Sequence, residues 1–206
     1  MKKNILSLIV ILLVVGSGWW IWQKLSTPLP GESVPDLGRN HVSDGTQVQY
    51  NSNPPTSGPH YEEWTKAGVY DKQFSDGHLV HSLEHGYVVI SYNCTKQVFS
   101  FHLPFFVASA HEENPDASPS AQASPSAELS GSQWESEDCK KLISQLADVY
   151  EKEGKKKIII VPRPSLDTRI ALTAWTRIDK FDNFDEGRIK KFIETFRNRG
   201  PEKTVE

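Results

Sequence analysis

The chain has 206 residues, with 23 Lys and Arg against 26 Asp and Glu and a formal charge of −3. No basic stripe runs through it, which argues against nucleic acid as a partner. With two cysteines and one methionine, Met1, the seven histidines are the residues that stand out for chemistry.

Lys2 and Lys3 precede an uncharged apolar run from Ile5 to Trp22. At 1.5 Å per residue, about 18 residues just cross a hydrocarbon core of ~30 Å. Trp19, Trp20 and Trp22 lie at its far end, where indoles favour the membrane–water interface, and the lysines favour a cytoplasmic N-terminus. The bulky GWWIW segment stands where a cleavage site would need small residues. The expectation is an uncleaved signal anchor, a single-pass transmembrane helix over residues 1–24, with the cell membrane as partner. Residues 25–35, rich in Pro, Ser and Gly, read as a tether. Residues 36–206 then form one extracytoplasmic domain, large enough for a proper core.

Turn formers crowd residues 36–78, among them Gly38, Gly45, Asn53-Pro54-Pro55 and Asp76-Gly77, so this region reads as loops with short extended pieces such as Gln47–Tyr50. Tyr87–Tyr92 (YVVISY) is a continuous run suited to a buried strand. Residues 97–107 place Phe99, Phe101 and Leu103 on one side of a further strand that Pro104 should end. Residues 108–133, nearly all Ala, Ser, Pro, Glu and Gly, read as a disordered insertion. Ser136 then caps a helix bearing Leu142, Ile143, Leu146, Val149 and Tyr150 at helical spacing, ended by Gly154. Lys157–Val161 is a second buried strand. Arg169–Ile178 is a third, with Ile170, Leu172, Ala174 and Ile178 on one face. A last helix runs from about Asp185 to Arg199, and Gly200-Pro201 stops it as a glycine cap should. This order predicts an α+β fold, a small mixed sheet packed by about two helices, with the thioredoxin-like arrangement as one realisation.

Cys94 follows one strand and Cys139 opens the next helix. In an exported chain an isolated pair is most simply a disulfide. Closing a loop of about 45 residues would stabilise the fold by roughly 4 kcal/mol in the chain-entropy picture. A redox dithiol needs its cysteines close in sequence, which this pair is not.

Residues 81–85 (HSLEH) match the H-x-x-E-H pattern of some zinc proteases, with Glu84 as the water-activating base. On a helix His78, His81 and His85 share a face beside Glu84; on a strand His81 and His85 still do. Gly86 and a strand follow at once, so any helix here is short. Pro54-Pro55-Thr56-Ser57-Gly58-Pro59-His60 stiffens the chain before His60 and presents its imidazole in a fixed place.

These stretches, together with His41-Val42, Gly68-Val69-Tyr70, Ala174-Trp175 and Gly200-Pro201-Glu202, closely resemble the prokaryotic, membrane-anchored proteins called domain of unknown function 3105. The resemblance runs from about His41 to Glu202. It departs after Cys94, where that family shows a second cysteine soon after and this chain has its Phe-rich and Ser/Pro/Ala segments. No activity comes with the resemblance.

The residues themselves lead to a metal-binding module. His41, His60, His81 and His85 are the candidate ligands, with Glu84 as a further ligand or a group that orients one, and zinc or copper(II) as the ion such donors suit. Two other functions stand beside it: a metallohydrolase using HSLEH, and a cofactor-free structural or interaction domain whose histidines bond to backbone carbonyls. His78, His102 and His111 are expected at the surface, and Trp175 in a core or pocket wall. Binding leads over catalysis, and no protein partner is implied.

Overall fold

The continuous apolar runs become the centre of a six-stranded mixed sheet. The computed structural model describes residues 12–13, 15–20, 28–96 and 133–204. In chain order the elements are β1 (Glu32–Ser33), β2 (Gly68–Val69), α1 (Asp76–Glu84), β3 (Val88–Tyr92), α2 (Glu137–Lys152), β4 (Ile158–Pro162), β5 (Ile170–Ala174), β6 (Arg177–Phe181) and α3 (Glu186–Phe196). The strand order is β1-β6-β5-β3-β4-β2. β3 and β4 pair in parallel, from Val88 opposite Ile158 to Tyr92 opposite Pro162, and β2 lies parallel on β4. β3–β5, β5–β6 and β6–β1 are antiparallel.

A sheet covered on both faces needs apolar residues at every position, which is why β3, β4 and β5 do not alternate with polar ones. Val88, Ile90, Tyr92, Ile158, Ile160, Ile170 and Leu172 face α2 and α3, meeting Leu142, Leu146, Val149, Ile189, Phe192 and Ile193. Val89, Ile159 and Val161 face the other way, onto Leu79 and Leu83 of α1 and onto Tyr87. The loop-rich region and α1 therefore cover one face, and they carry the histidines.

Several expectations are corrected. Among the described residues no helix is long and apolar enough to cross a membrane. The single-pass anchor over 1–24 is therefore overturned, and with it the membrane as partner and the placement of the domain outside a cell membrane. Of that segment residues 12–13 and 15–20 are described, as helix, and Trp22 lies outside the described residues.

The stretch expected as a tether contributes structure. Gly31–Glu206 forms one compact unit, and Glu32–Ser33 pairs with β6. The fold departs from the thioredoxin-like arrangement in that β4 runs into β5 through a loop, and the helix on that face, α1, comes before β3 instead. Gln47–Tyr50 forms no strand. The single strand expected over Arg169–Ile178 is a hairpin, β5 and β6, turning at Trp175 and at Thr176, whose φ is 58°. The Phe-rich strand and residues 108–132 of the expected insertion fall outside the described residues, as do His102 and His111.

The cysteines form a disulfide, Cys94–Cys139, with a Cα–Cα distance of 5.3 Å. Ser136 caps α2, its hydroxyl accepting from the Cys139 N–H at 3.2 Å. Gly154, at φ 78°, ends that helix, and the Lys155 N–H returns to the Tyr150 carbonyl at 3.0 Å. α3 ends differently: Asn198, not Gly200, takes the left-handed position at φ 63°. Gly200 is a glycine for another reason. A Cβ there would run into the Glu84 carbonyl and the Gly86 nitrogen, so the C-terminal segment lies directly against the end of α1.

Candidate metal centre

Two loop segments run side by side to place the first two imidazoles. His41 and His60 form a parallel bridge, with the Val42 N–H donating to the His60 carbonyl at 2.8 Å and the His60 N–H to Asn40 at 3.0 Å. The Pro-rich turn is pinned from several sides. The Leu37 N–H donates to Ser57 Oγ at 3.1 Å, the Thr176 N–H to the Thr56 carbonyl at 3.1 Å, and the Tyr50 hydroxyl to Pro59 at 2.8 Å. Gly58 sits at φ 126°, which side chains rarely adopt, and its carbonyl faces back to His60 Nδ1 at 2.8 Å.

The third imidazole and the carboxylate come from α1, one turn apart at His81 and Glu84. The helix is held at its start by Arg163 at the end of β4, which forks onto Asp76 at 2.5 and 3.0 Å and reaches Asn53 at 2.7 Å. Ser82 fixes its middle, donating to the Thr65 carbonyl at 2.8 Å and accepting from the Thr65 N–H at 3.0 Å. His81 Nδ1 lies 2.7 Å from the Tyr61 carbonyl.

A carbonyl only accepts, so His60 and His81 both carry a proton on Nδ1, and each ring turns Nε2 the other way. Those nitrogens look into one place. The ring centroids of His41, His60 and His81 stand 5.0, 5.0 and 4.9 Å apart, an almost equilateral triangle. One donor atom each from His41, His60, His81 and Glu84 lies within 4.8 Å of the others. His60, His81 and Glu84 are 0, 4 and 3% exposed, whereas His41 is open to solvent.

Polar bonding at the centre is incomplete in an informative way. His60 Nε2 is 2.8 Å from Glu84 Oε2, an ion-pair distance, and among the described residues neither atom has a hydrogen-bond partner. The other carboxylate oxygen lies 3.7 Å from the exposed Arg39. Burial lowers the His81 pKa to about 4, reinforced by the neighbouring His85, His60 and His41, while the Tyr61 carbonyl pulls the other way. The neutral ring that a ligand must be is thus the form this site favours.

His85 goes elsewhere. It caps α1, with Nε2 3.1 Å from His81 Nε2 and 3.5 Å from Glu202 Oε2. A second donor group, His81, His85 and Glu202, therefore adjoins the first and shares His81 with it. Glu202 escaped the sequence reading as a donor because Gly200-Pro201 read as a helix stop and Glu202 entered only through the family motif Gly200-Pro201-Glu202. The segment docks on α1 instead, through the Glu202 N–H to the Glu84 carbonyl at 3.0 Å and Asn198 N–H to Gly86 at 2.8 Å.

Lys157 locks this arrangement. Its buried amine donates to the His85 carbonyl at 3.0 Å and to the carbonyl and hydroxyl of Thr204 at 2.9 and 3.0 Å. Trp64 packs on His81 and His85, and Trp175 meets the His60 ring edge-on at 6.4 Å. His78 stands apart, bonded to the Glu63 carbonyl at 2.8 Å.

No curated protein and no solved structure matches the chain. A family model does match, over residues 41–124 and 132–206, and so takes in every residue of both donor groups. On that match the chain belongs to the family described as "Protein of unknown function (DUF3105)".

Proposed function

We propose that this protein is a metal-binding module that holds one divalent ion, zinc or copper(II), between His41, His60, His81 and Glu84. The observation that carries the reading is the pair of locked tautomers. Each Nδ1–H of His60 and His81 is tied to a backbone carbonyl. Metal-ligating histidines are oriented in this way almost without exception.

The spacing supports it. Three imidazoles ligating a tetrahedral ion at 2.0–2.1 Å would have ring centroids about 5.2 Å apart, close to the triangle found here. An ion would also supply the partner that His60 Nε2 and Glu84 Oε2 lack. Imidazole and carboxylate donors suit zinc and copper(II), while the thiolates that copper(I) prefers are tied up in the disulfide.

Four protein donors favour holding an ion over using it, because a catalytic zinc keeps a position open for water. Glu84 lies among the donors rather than set back as a base, which weighs against the hydrolase reading.

Zinc titration of chelator-treated full-length protein, followed by calorimetry and native mass spectrometry, tests the proposal. The expected result is one ion per chain, lost in His60→Ala with Glu84→Gln while the circular dichroism spectrum is kept. Wild-type protein that binds neither zinc nor copper(II) overturns it and leaves the cofactor-free reading.

A further inference from the structure

The second donor group is not needed to hold an ion in the first, and its placement asks for a role. Resting on the metal-binding reading, we infer that the two groups are consecutive stations of one transfer path. On this path a single zinc or copper(II) ion passes between His41/His60/Glu84 and His85/Glu202 by exchange of ligands around His81.

The argument starts from one nitrogen. His81 Nδ1 is committed to the Tyr61 carbonyl, so only Nε2 can ligate. His81 is common to both groups, and with Nε2 as its one available nitrogen, a single lone pair serves one ion at a time. The stations are therefore mutually exclusive. His85 Nε2 stands 3.1 Å from His81 Nε2, close enough to enter the coordination sphere of an ion bound there before any other ligand leaves. Exchange by that route never strips the ion bare, which is what makes a shared ligand useful.

The surroundings fit a path rather than a closed structural site. Each station has one ligand at the surface: His41 on one side, and Glu202, whose side chain is 51% exposed, on the other. The ligands between them, His60, His81, Glu84 and His85, are buried. A cleft of about 680 Å³ opens at His41, and Asp44, Glu62 and Glu63 line it. Three carboxylates around one mouth raise the local concentration of cations there. Glu202 rides on the C-terminal segment docked on α1, so the outer station depends on that docking.

The exchange conserves charge and electrons. The ion moves with its charge, one nitrogen–metal bond forming at His85 as one bond to the inner group breaks. The proton that His85 Nε2 donates toward His81 in the ion-free protein shifts to Nδ1. No oxidant or reductant takes part.

The test separates rate from affinity in the full-length protein, with zinc as probe and a chromogenic chelator as acceptor in stopped flow. Wild type should take up one zinc per chain. Glu202→Gln, a change at an exposed side chain, should slow uptake and release by the same factor, the open His41 mouth carrying the remainder, with Kd unchanged. Glu202→Ala should behave the same way. Two zinc ions bound per chain at once, release unchanged in both variants, or a Kd that weakens by the same factor as the rates would each overturn the inference while leaving a metal-binding protein. Wild-type protein that binds no zinc overturns the metal-binding reading itself, a distinguishable result.

Discussion

Substituting Gly200→Ala probes how tightly the C-terminal segment is bound to α1. Its added Cβ would meet the Glu84 carbonyl and the Gly86 nitrogen, backbone atoms at the end of a helix that cannot swing aside. The segment must lift, and the Glu202 N–H bond to the Glu84 carbonyl goes with it, together with both Lys157 bonds to Thr204. At about 1 kcal/mol for each of these hydrogen bonds, the loss is roughly 2–3 kcal/mol. For a domain of this size that lowers Tm by roughly 4–12 °C. The usual effect of Gly→Ala on the unfolded chain has the opposite sign, about 0.4–1 kcal/mol of stabilisation, so the direction alone discriminates. Urea denaturation followed by tryptophan fluorescence reads the change. A variant as stable as wild type, or more so, would refute the close approach.

Metal-free protein should lose stability as the pH falls through 6.5 toward 4. The His81 pKa drops from 6.5 unfolded to about 4 folded, so the unfolded chain takes the proton first, and this group's contribution, roughly 3 kcal/mol, is complete above pH 6.5 and lost on acidification. Urea midpoints across that range, compared with His81→Gln, check it; equal slopes refute it. Replacing both cysteines by serine should cost about 2–4 kcal/mol, read as a fall in the denaturant midpoint. Gly58→Ala forces a side chain onto φ 126° and should destabilise the fold by about 1–3 kcal/mol. It should also weaken zinc binding, because the carbonyl that aims His60 moves. Zinc at about 100 times its Kd should add roughly 2.7 kcal/mol to wild-type stability, seen as a higher Tm.

The strands Val88–Tyr92 and Ile158–Pro162 were readable because a sheet covered on both faces demands unbroken β-branched runs, and the sequence has them. The β5–β6 hairpin was not readable. Its turn is Trp175-Thr176, with no Gly, Asn or Pro to mark it, and the alternation of Ile170, Leu172, Ala174 and Ile178 carries straight through. The same limit hid the reason for Gly200, since helix stop and close approach demand the same residue.

At the candidate centre, Pro54–His60 and the four-residue spacing of His81 and His85 pointed to side chains held in place. What those side chains bond to was out of reach, because it depends on the carbonyls of Gly58 and Tyr61. Carbonyl bonding and metal ligation were set against each other as alternative fates of the histidines. The two are compatible: the bond at Nδ1 is what turns Nε2 inward.

Lys157 adopts a left-handed backbone, φ 51°, and spends all its donors on the His85 carbonyl and Thr204. Through this one ammonium group the last residues of the chain are mechanically coupled to the histidines. A purification handle fused after Glu206, or carboxypeptidase trimming past Thr204, would therefore tug on these histidines without touching them. Tags and dyes for metal work on this protein belong at the opposite end of the polypeptide.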